Sequence, residues 1–506
     1  MKTSSIELNP NKLVQYLNKP ASEFTKEDII KFIKEYGIRM LNFRYIGGDG
    51  RLKALNFIIR SEEHLDTVLS TGERVDGSSL FRYIEADSSD LYVVPKYRTA
   101  FVNPFEKIPT LDLLCSYFDK DGNPLASAPE NIMKKAHTAL KEKTGYELNA
   151  MAELEYYIIC DKAQIGIDFE AVDQRGYHEA GPFTKFEQLR KDTMLAIAEA
   201  GGFIKYGHSE VGNFTDDAHY YEQNEIEFDV TNVEDAADRL LIGKWMLRMI
   251  ASQYGVTVSY APKITVGKAG SGLHIHMKLM KDGKTATVEN GGELSDAAKK
   301  AIVGCLDIAP AITAFGNTIP TSYLRLVPHQ EAPTNICWGD RNRSALIRVP
   351  LGWSGDASKM ITIANPNYSE DLKDYYGKQT YEFRAADGSA DVYLLLAGLC
   401  VGTRHGLEMN EALDLSKKLY ISVNIFKDEH KDRLAELEHL PASCYESAQA
   451  LKEKKDIFMQ YDVFTEGMLD GIIHSLEAYD DYQLSEKLYG KTEEIKNLVD
   501  SYIHIG

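Results

Sequence analysis

Four arginines and one glutamate lie close together in the segment 323–350, which reads YLRLVPHQEAPTNICWGDRNRSALIRVP. These charged residues are Arg325, Arg341, Arg343, Arg348 and Glu331. Apolar residues flank the arginines, so each guanidinium group needs an anionic partner that offsets its loss of hydration. Carboxylates and phosphates match the planar guanidinium fork. A structural ion pair would explain any one of these arginines, but four of them around a loop glutamate predict an anion-binding active site.

Carboxylates and histidines alternate with apolar residues in five segments that have the pattern of β-strands. The segments are Gly145–Cys160, Phe203–Gly212, Asn224–Phe228, Gly270–Leu279 and Tyr381–Arg384. Because successive side chains of a strand point to opposite faces, Glu153 and Glu155 share a face, and so do His274 and His276. Neighbouring carboxylates on one face repel each other unless a proton or a cation lies between them.

An exposed polar face would explain one such strand, but five of them predict a curved antiparallel sheet whose concave face carries Glu, His and Arg. Carboxylates combined with one or two histidines suit Mg²⁺ or Mn²⁺ better than Zn²⁺. A metal ion together with arginines indicates phosphate chemistry. The sequence contains no Walker A motif, kinase glycine loop or GxGxxG motif, so a bound nucleotide requires another fold.

The elements that carry these groups fall into parts of different character. Phe24–Glu35 has helical spacing with a capping signal at Thr25, and Arg39–Tyr45 and Leu52–Ile59 predict a hairpin closed by a glycine-rich turn. The residue types of Asp76–Ser79 alone predict a turn. Beyond Leu394 the spacing is mostly helical. The predicted divisions are an N-terminal helical segment 1–35, a small α/β domain 36–120 and a catalytic domain 121–506.

Length and charge exclude several classes of protein. With 506 residues the chain is too long for one ordinary core. Its 57 Lys and Arg against 76 Asp and Glu give a net charge of −19, which argues against nucleic-acid binding. The six cysteines form no CxxC pair, and neither a signal-peptide core nor a long apolar span is present. We therefore expect buried thiols, no membrane partner and a cytoplasmic location.

Seven motifs, in order along the chain, resemble those of the glutamine synthetase family in its long bacterial-type branch. They are VDGSS, ELEYY, QNEIE, GSGLHIHM, SYLRLVPHQEAP, RNRSALIRVP and YEFRAADGSA. The resemblance covers roughly Arg39 to Leu399 and implies an α+β fold, with an N-terminal β-grasp domain followed by a catalytic domain of curved antiparallel sheet and surrounding helices. It also implies two Mg²⁺ or Mn²⁺ ions per active site and ATP as co-substrate.

The resemblance also implies a role for each matching residue. One metal ion would be held by Glu155, Glu210 and Glu225, and the other by Glu153, His274 and Glu382. Nucleotide phosphates would be contacted by His276, Arg343 and Arg348, and glutamate by Gly270, Arg325 and Arg384. Arg343 would also stabilise charge during phosphoryl transfer, Glu331 would close over the bound intermediate, and Asp76 would take a proton from ammonium.

The implied activity is that of a glutamate–ammonia ligase. The γ-carboxylate of glutamate attacks the γ-phosphate of ATP, and ammonia captures the resulting γ-glutamyl phosphate to give glutamine, ADP and phosphate. Two alternatives stay open: a γ-glutamyl ligase for a larger amine, and a non-catalytic structural relative. Retention of all six implied metal ligands argues against the second, because clustered like charges are costly without a function.

Four residues depart from the family pattern; one of them, Ala269, motivates the larger-amine alternative together with the long segment between Glu210 and Glu225. Ala269 replaces a usual asparagine, Lys278 a serine, Lys205 a glutamate and Thr380 an arginine. The segment between Glu210 and Glu225 is also longer than usual.

For quaternary structure the resemblance implies a dodecamer of two stacked hexameric rings. In such a ring the small domain of one subunit completes its neighbour's site, which agrees with the position of Asp76 outside the predicted catalytic domain. The apolar residues of the C-terminal stretch Tyr502–Ile505 are candidates for contact with the second ring.

Overall fold

The computed structural model describes residues 6–81, 84, 89–166, 169, 172–289, 291–327, 332–352, 357–367, 375–422 and 436–506. Its strands are β1 (Met40–Ile46), β2 (Leu52–Ile58), β3 (Glu73–Asp76), β4 (Asp90–Pro95), β5 (Phe101–Val102), β6 (Thr110–Phe118), β7 (Glu147–Asp161), β8 (Ile204–Thr215), β9 (His219–Phe228), β10 (Thr231–Asn232), β11 (Thr257–Ser259), β12 (Leu273–Lys281), β13 (Lys284–Thr285), β14 (Trp338–Asp340), β15 (Ile347–Val349) and β16 (Tyr381–Phe383).

The described helices surround these strands and dominate the C-terminal part of the chain. They are α1 (Lys12–Leu17), α2 (Lys26–Glu35), α3 (Glu62–Thr71), α4 (Gly77–Leu80), α5 (Pro129–Thr144), α6 (Glu187–Glu199), α7 (Val233–Gln253), α8 (Asp296–Asp307), α9 (Ala309–Gly316), α10 (Ser322–Arg325), α11 (Ala357–Ala364), α12 (Val392–Glu408), α13 (Ala412–Leu419), α14 (Cys444–Met459), α15 (Glu466–Glu477), α16 (Leu484–Lys487) and α17 (Thr492–Ser501).

The strands form two sheets. The smaller has the order β2-β1-β6-β4-β3, with β5 on β6, and its β1–β6 pair is parallel. The larger has the order β14-β15-β16-β12-β7-β9-β8, with short strands on β7 and β12. The predicted N-terminal hairpin is confirmed as β1 and β2. The predicted boundaries at residues 35 and 120 stay a prediction.

The prediction of an antiparallel sheet from five segments is confirmed for β7, β8, β9, β12 and β16, and the structure adds a parallel pair at one edge. Strands β14 and β15 pair in parallel, whereas the pairs that join β15, β16, β12, β7, β9 and β8 are antiparallel. Residues 341–346 connect β14 to β15 by a short crossing, so the two strands run in the same direction. This connection carries Arg341 and Arg343 to the edge of the sheet.

Local sequence signals explain where several helices begin and end. Helix α2 begins at a capping box, in which Thr25 and Asp28 each bond the other's backbone N–H. Helix α5 has a proline in its first turn and ends at Gly145 in the left-handed conformation. The predicted helix Leu394–Leu415 is divided in the structure, since α12 ends at Glu408 and α13 begins at Ala412.

Helix α12 lies at the centre of the helical layer, where it packs against α5 and α8. Glycines allow the close approach of α8 and α12. A Cβ added to Gly304 would lie inside van der Waals contact with backbone atoms of Gly402 and Gly406. Backbone cannot move aside as a flexible side chain can.

We expect Gly304→Ala to destabilise the protein by about 1–3 kcal/mol, because overpacking here must separate two helices. The lower melting temperature would be measured by calorimetry. Gly467→Ala is the control, since no atom lies within 4 Å of its added Cβ and alanine favours the helix. A Gly304→Ala protein as stable as the control would contradict this account of the packing.

The C-terminal stretch packs on its own chain. Ile503 and Ile505 lie against a cluster of Tyr157, Ala261 and Ile264, and Ser259 donates a hydrogen bond of 2.5 Å to the Ile503 carbonyl. These isoleucines therefore pack within their own subunit. The predicted contact of this stretch with a second ring did not include this packing.

All six cysteines are buried, as predicted. Within the described part of the chain, no helix combines the length and the apolar character that crossing a bilayer requires.

Candidate active site

A cavity of about 1130 Å³ opens on the large sheet. Twelve of the fourteen residues predicted for the site line it, and they come from six strands, from helix α10 and from loops between these elements. They are Glu153, Glu155, Glu210, Glu225, Gly270, His274, His276, Arg325, Arg343, Arg348, Glu382 and Arg384. Residues separated by more than 200 positions in sequence thus meet in one concave surface.

Of the remaining two predicted residues, Asp76 is not among the described residues that line the cavity. Asp76 is exposed and caps α4, where its carboxylate accepts bonds from Ser79 Oγ at 2.6 Å and Ser78 Oγ at 2.7 Å. These hydrogen bonds lower the pKa of Asp76, so it is a carboxylate at neutral pH. Glu331 lies outside the described residues.

One candidate metal group combines Glu153, His274 and Glu382, as the sequence predicted for one ion. Their ligand atoms lie within 4.8 Å of one another. His274 Nδ1 is 2.9 Å from Glu153 Oε2 and 3.5 Å from Glu382 Oε1. Strand pairing produces this group, because β12 lies between β7 and β16 and places His274 opposite Glu153.

A second candidate group contains His208, Glu210 and Glu225. His208 Nε2 is 3.2 Å from Glu225 Oε1, and burial lowers the pKa of His208, which favours the neutral imidazole that binds metals. Glu155, which was predicted as a ligand of this ion, lines the same cavity but is not part of this group. Its carboxylate accepts hydrogen bonds from Gly272 N at 2.7 Å and Gln223 Nε2 at 3.2 Å. The geometry therefore adds His208 to the predicted set.

The electrostatics of this surface fit a divalent cation. Burial raises the pKa of Glu225 well above its usual range, and the nearby carboxylates of Glu153, Glu155 and Glu210 raise it further. Such a concentration of negative charge is unfavourable unless cations compensate it. Carboxylate oxygens with one imidazole per group are donors that suit Mg²⁺ or Mn²⁺.

We expect Glu225→Gln to bind one Mn²⁺ per chain where the unaltered protein binds two, because an amide is a much weaker ligand. Isothermal titration with Mn²⁺ would measure the stoichiometry. Glu222→Gln is the matched control on the same strand, since Glu222 is buried outside the cavity and accepts a bond of 2.6 Å from Thr184 Oγ1. Equal Mn²⁺ binding by the Glu225 variant and the control would refute the site.

His276 is held between acidic groups. Its Nε2 is 2.8 Å from Glu153 Oε1 and its Nδ1 is 2.9 Å from Thr380 Oγ1. Burial opposes protonation, but Glu153 and Glu382 outweigh it and raise the pKa of His276. An imidazole with this tendency to hold its proton can act as a hydrogen-bond donor to an anion.

The arginines of the site have different environments. Arg325 is buried, and its Nη1 donates to the carbonyl of Ala385 at 2.8 Å. Arg384 Nε and Arg348 Nη1 each donate to Glu382, both at 3.0 Å. The loop residue Arg343 is exposed and lines the cavity. Arg341 of the same loop is also exposed and lines the cavity, so Arg341 and Arg343 are the arginines best placed to meet a ligand from solution.

Two glycines are required where β12 begins. A Cβ on Gly272 would lie 2.6 Å from both Arg325 Nη2 and His274 Nε2. A Cβ on Gly270 would lie 2.8 Å from the carbonyl oxygen of Pro262. The G-S-G sequence thus allows the arginine and the histidine to approach the backbone closely.

The cavity residues to which sequence reasoning assigned no role include Tyr177, His208, Glu227 and Thr380. Strand alternation could have identified two of them, because residues two positions apart on a strand share a face. His208 precedes Glu210 by two residues, and Glu227 follows Glu225 by two. Thr380 was noted only as a departure from the family motif. Tyr177 lies in an irregular segment with no comparable periodicity.

Comparison with known families agrees with this geometry. The profile of the glutamine synthetase catalytic domain matches residues 126–486, and that of the glutamine synthetase β-grasp domain matches residues 37–120. This chain belongs to the glutamine synthetase family. The predicted α+β fold, a β-grasp domain followed by a catalytic domain of curved sheet and helices, is thereby confirmed.

Relatives in the family match nearly the whole chain. A Clostridium saccharobutylicum glutamine synthetase is 30% identical over 439 residues, covering 86% of this chain and 90% of the relative. A Frankia alni glutamine synthetase is also 30% identical, covering 88% and 94%. The fold resembles the Plasmodium falciparum glutamine synthetase structure, with a TM-score of 0.73, 20% identity and coverage of 92% and 98%. These relatives support a ligase of the glutamine synthetase type.

The departures from the glutamine synthetase motifs have defined places in the structure. Ala269 is buried, and its backbone N–H donates to Gln174 Oε1 at 2.7 Å. Thr380 Oγ1 is hydrogen-bonded to Nδ1 of His276 and so orients its ring. Lys205 Nζ forms an ion pair with Glu227 Oε1 at 2.6 Å. Lys278 is not among the cavity residues. Two departures, at Lys205 and Thr380, therefore change the cavity lining itself.

Proposed function

We propose that this protein is a glutamate–ammonia ligase that uses ATP to form γ-glutamyl phosphate and then glutamine. The observation that supports it is the convergence of three carboxylate–histidine groups, two of which correspond to the predicted metal sites, and of five arginines on one cavity. Those arginines are Arg325, Arg341, Arg343, Arg348 and Arg384. A site with this composition suits phosphoryl transfer to a carboxylate.

Glu153, His274 and Glu382 would hold one divalent ion, and His208, Glu210 and Glu225, with Glu155 beside them, would hold the other. Bound Mg²⁺ or Mn²⁺ would neutralise the charge of the ATP phosphates. His276, Arg343 and Arg348 would bind the phosphates of ATP, and Arg343 would stabilise charge on the transferred phosphoryl group. Gly270, Arg325 and Arg384 would form the end of the cavity that binds glutamate.

The second half of the reaction would need a group that takes a proton from ammonium. Asp76 is ionised and exposed, and it lies outside the lining of its own chain's cavity. We propose that Asp76 completes the cavity of a neighbouring subunit in a ring, and that two such hexameric rings stack into a dodecamer. Glu331 would cover the acyl phosphate and exclude water.

A larger amine is the second candidate nucleophile. Residues 174–178 hydrogen-bond along β8 near Glu210, and Gln174 reaches the backbone of Ala269. Alanine at this position occupies less volume than the asparagine usual in the family. Ala269 lies behind the cavity lining, next to the lining residue Gly270, and this difference from the family pattern favours a test of amine size.

Phosphate release from ATP, with glutamate and a series of amines, would separate the candidates. The series would contain ammonium, methylamine, ethylamine and a diamine, and mass spectrometry would identify the γ-glutamyl product. We expect the highest kcat/KM with ammonium and glutamine as its product. A higher kcat/KM with a larger amine would establish the second candidate, and absence of ADP with every amine would support a non-catalytic relative.

A further inference from the structure

A row of charged residues crosses the large sheet, and one end of it has no role in the proposed reaction. In order across β8, β9, β7, β12, β16 and β15, the charged row consists of Lys205, Glu227, Glu153, His276, Glu382 and Arg348. The step from β7 to β12 is diagonal, because Glu153 lies opposite His274 and its side chain contacts His276. Its contacts are Lys205 Nζ to Glu227 Oε1 at 2.6 Å, Glu153 Oε1 to His276 Nε2 at 2.8 Å and Arg348 Nη1 to Glu382 Oε2 at 3.0 Å.

The two ends of the charged row are similar. Each end is a cation bonded to a carboxylate that is 1% exposed, Glu227 at one end and Glu382 at the other. His276 lies between them, and its ligand atom is within 4.8 Å of those of Glu153 and Glu227. His276 and Arg348 are the groups proposed for nucleotide phosphates, and Lys205 lies on the same row as both of them.

A β-bulge directs Lys205 into the cavity. The pairing of β8 with β9 shifts between Ile204 and Tyr206, so that Lys205 and Tyr206 together face Glu227. Adjacent residues of a regular strand point to opposite faces, yet both Lys205 and Tyr206 line the cavity. Bulges characteristically redirect a side chain near a functional site.

The pairing with Glu227 does not use the whole ammonium group. An ammonium has three N–H donors, and the bond to Glu227 uses one. The Lys205 side chain is 43% exposed, and Glu227 fixes its position from the buried side. A purely structural counterion for Glu227 would need neither this exposure nor the bulge.

We propose that Lys205 binds a phosphate group of the nucleotide, with Glu227 positioning its ammonium. The proposal rests on the proposed function, since it assigns a further contact in the same reaction. Lys205 and Arg348 would approach the phosphate chain from opposite ends of the charged row, with His276 between them. The ammonium of Lys205 would contribute a compact positive charge, whereas the guanidinium of Arg348 is a planar fork.

Isothermal titration of the full-length protein with ADP in the presence of Mg²⁺ would test the proposal. We expect Lys205→Met to raise the Kd for ADP by about 10- to 100-fold, the usual effect of losing one charge-assisted hydrogen bond. The KM for ATP should rise similarly, with the KM for glutamate unchanged. Lys205→Arg should recover most of the affinity, because it retains the charge.

The control is Lys455→Met, which removes an equally short ion pair, 2.6 Å to Asp470, outside the cavity. Circular dichroism would establish folding, and Lys205→Gln replaces the methionine variant if that one does not fold. Unchanged ADP affinity in a folded Lys205 variant, or a rise in the KM for glutamate alone, would overturn the role of Lys205 and leave the proposed ligase standing. If the unaltered protein bound no adenine nucleotide, both proposals would fail.

Discussion

Arg343→Ala should lower the rate of glutamate-dependent phosphate release from ATP by about 10²–10³, the usual cost of losing one donor that stabilises transition-state charge. Arg343 is exposed on the cavity wall, in the loop between β14 and β15. In the proposed reaction its guanidinium would contact the transferred phosphoryl group. We expect the loss mainly in kcat, measured under saturating ATP and glutamate.

Arg343→Lys should restore only part of this rate, because an ammonium lacks the planar fork that meets two oxygens at once. Arg175→Ala is a suitable control, since Arg175 is exposed and does not line the cavity. If the lysine variant had the turnover of the unaltered protein, Arg343 would contribute only a general positive charge.

Mixing two inactive variants should restore about a quarter of the activity. Asp76→Ala and Arg343→Ala would each be nearly inactive in glutamine synthesis as homo-oligomers. If Asp76 completes the neighbour's cavity, random reassembly of equal amounts places an intact Asp76 beside an intact Arg343 in about one site in four. Dissociation, mixing and reassembly, followed by an assay of glutamine, would measure the recovered fraction.

Two observations would check this experiment. Asp76→Ala alone should still hydrolyse ATP slowly in a glutamate-dependent reaction, because its defect lies after formation of the acyl phosphate. Light scattering would confirm that mixed oligomers form. Mixed oligomers without recovered activity would mean that Asp76 and Arg343 act within one chain, against the exposed position of Asp76 on the small sheet.

The sequence alone was sufficient for features that depend on local alternation. Glu153 and Glu155 share a face of β7 because side chains alternate along any strand, and the cavity contains both. The capping box at Thr25 was equally predictable, because both of its partners lie within four residues. The family motifs, read in order, also predicted the fold and twelve of the residues that line the cavity.

Tertiary structure alone decided which of these groups meet. His208 joins Glu210 and Glu225 because β8 pairs with β9 in one particular register. The parallel pairing of β14 with β15 depends on how the chain crosses between them. Local alternation places His208 near Glu210, but no local pattern predicts that His208 meets Glu225 or that β14 pairs with β15, because these contacts join different strands.

Lys205 shows the difference between the two kinds of information most clearly. Its alternation with neighbouring residues predicts only that Lys205 and Tyr206 face opposite sides of a strand. The bulge opposite Glu227 places both on the cavity. A bulge forms only where two strands pair. The ammonium group of Lys205 therefore reaches its position beside the buried Glu227 only after β8 has paired with β9.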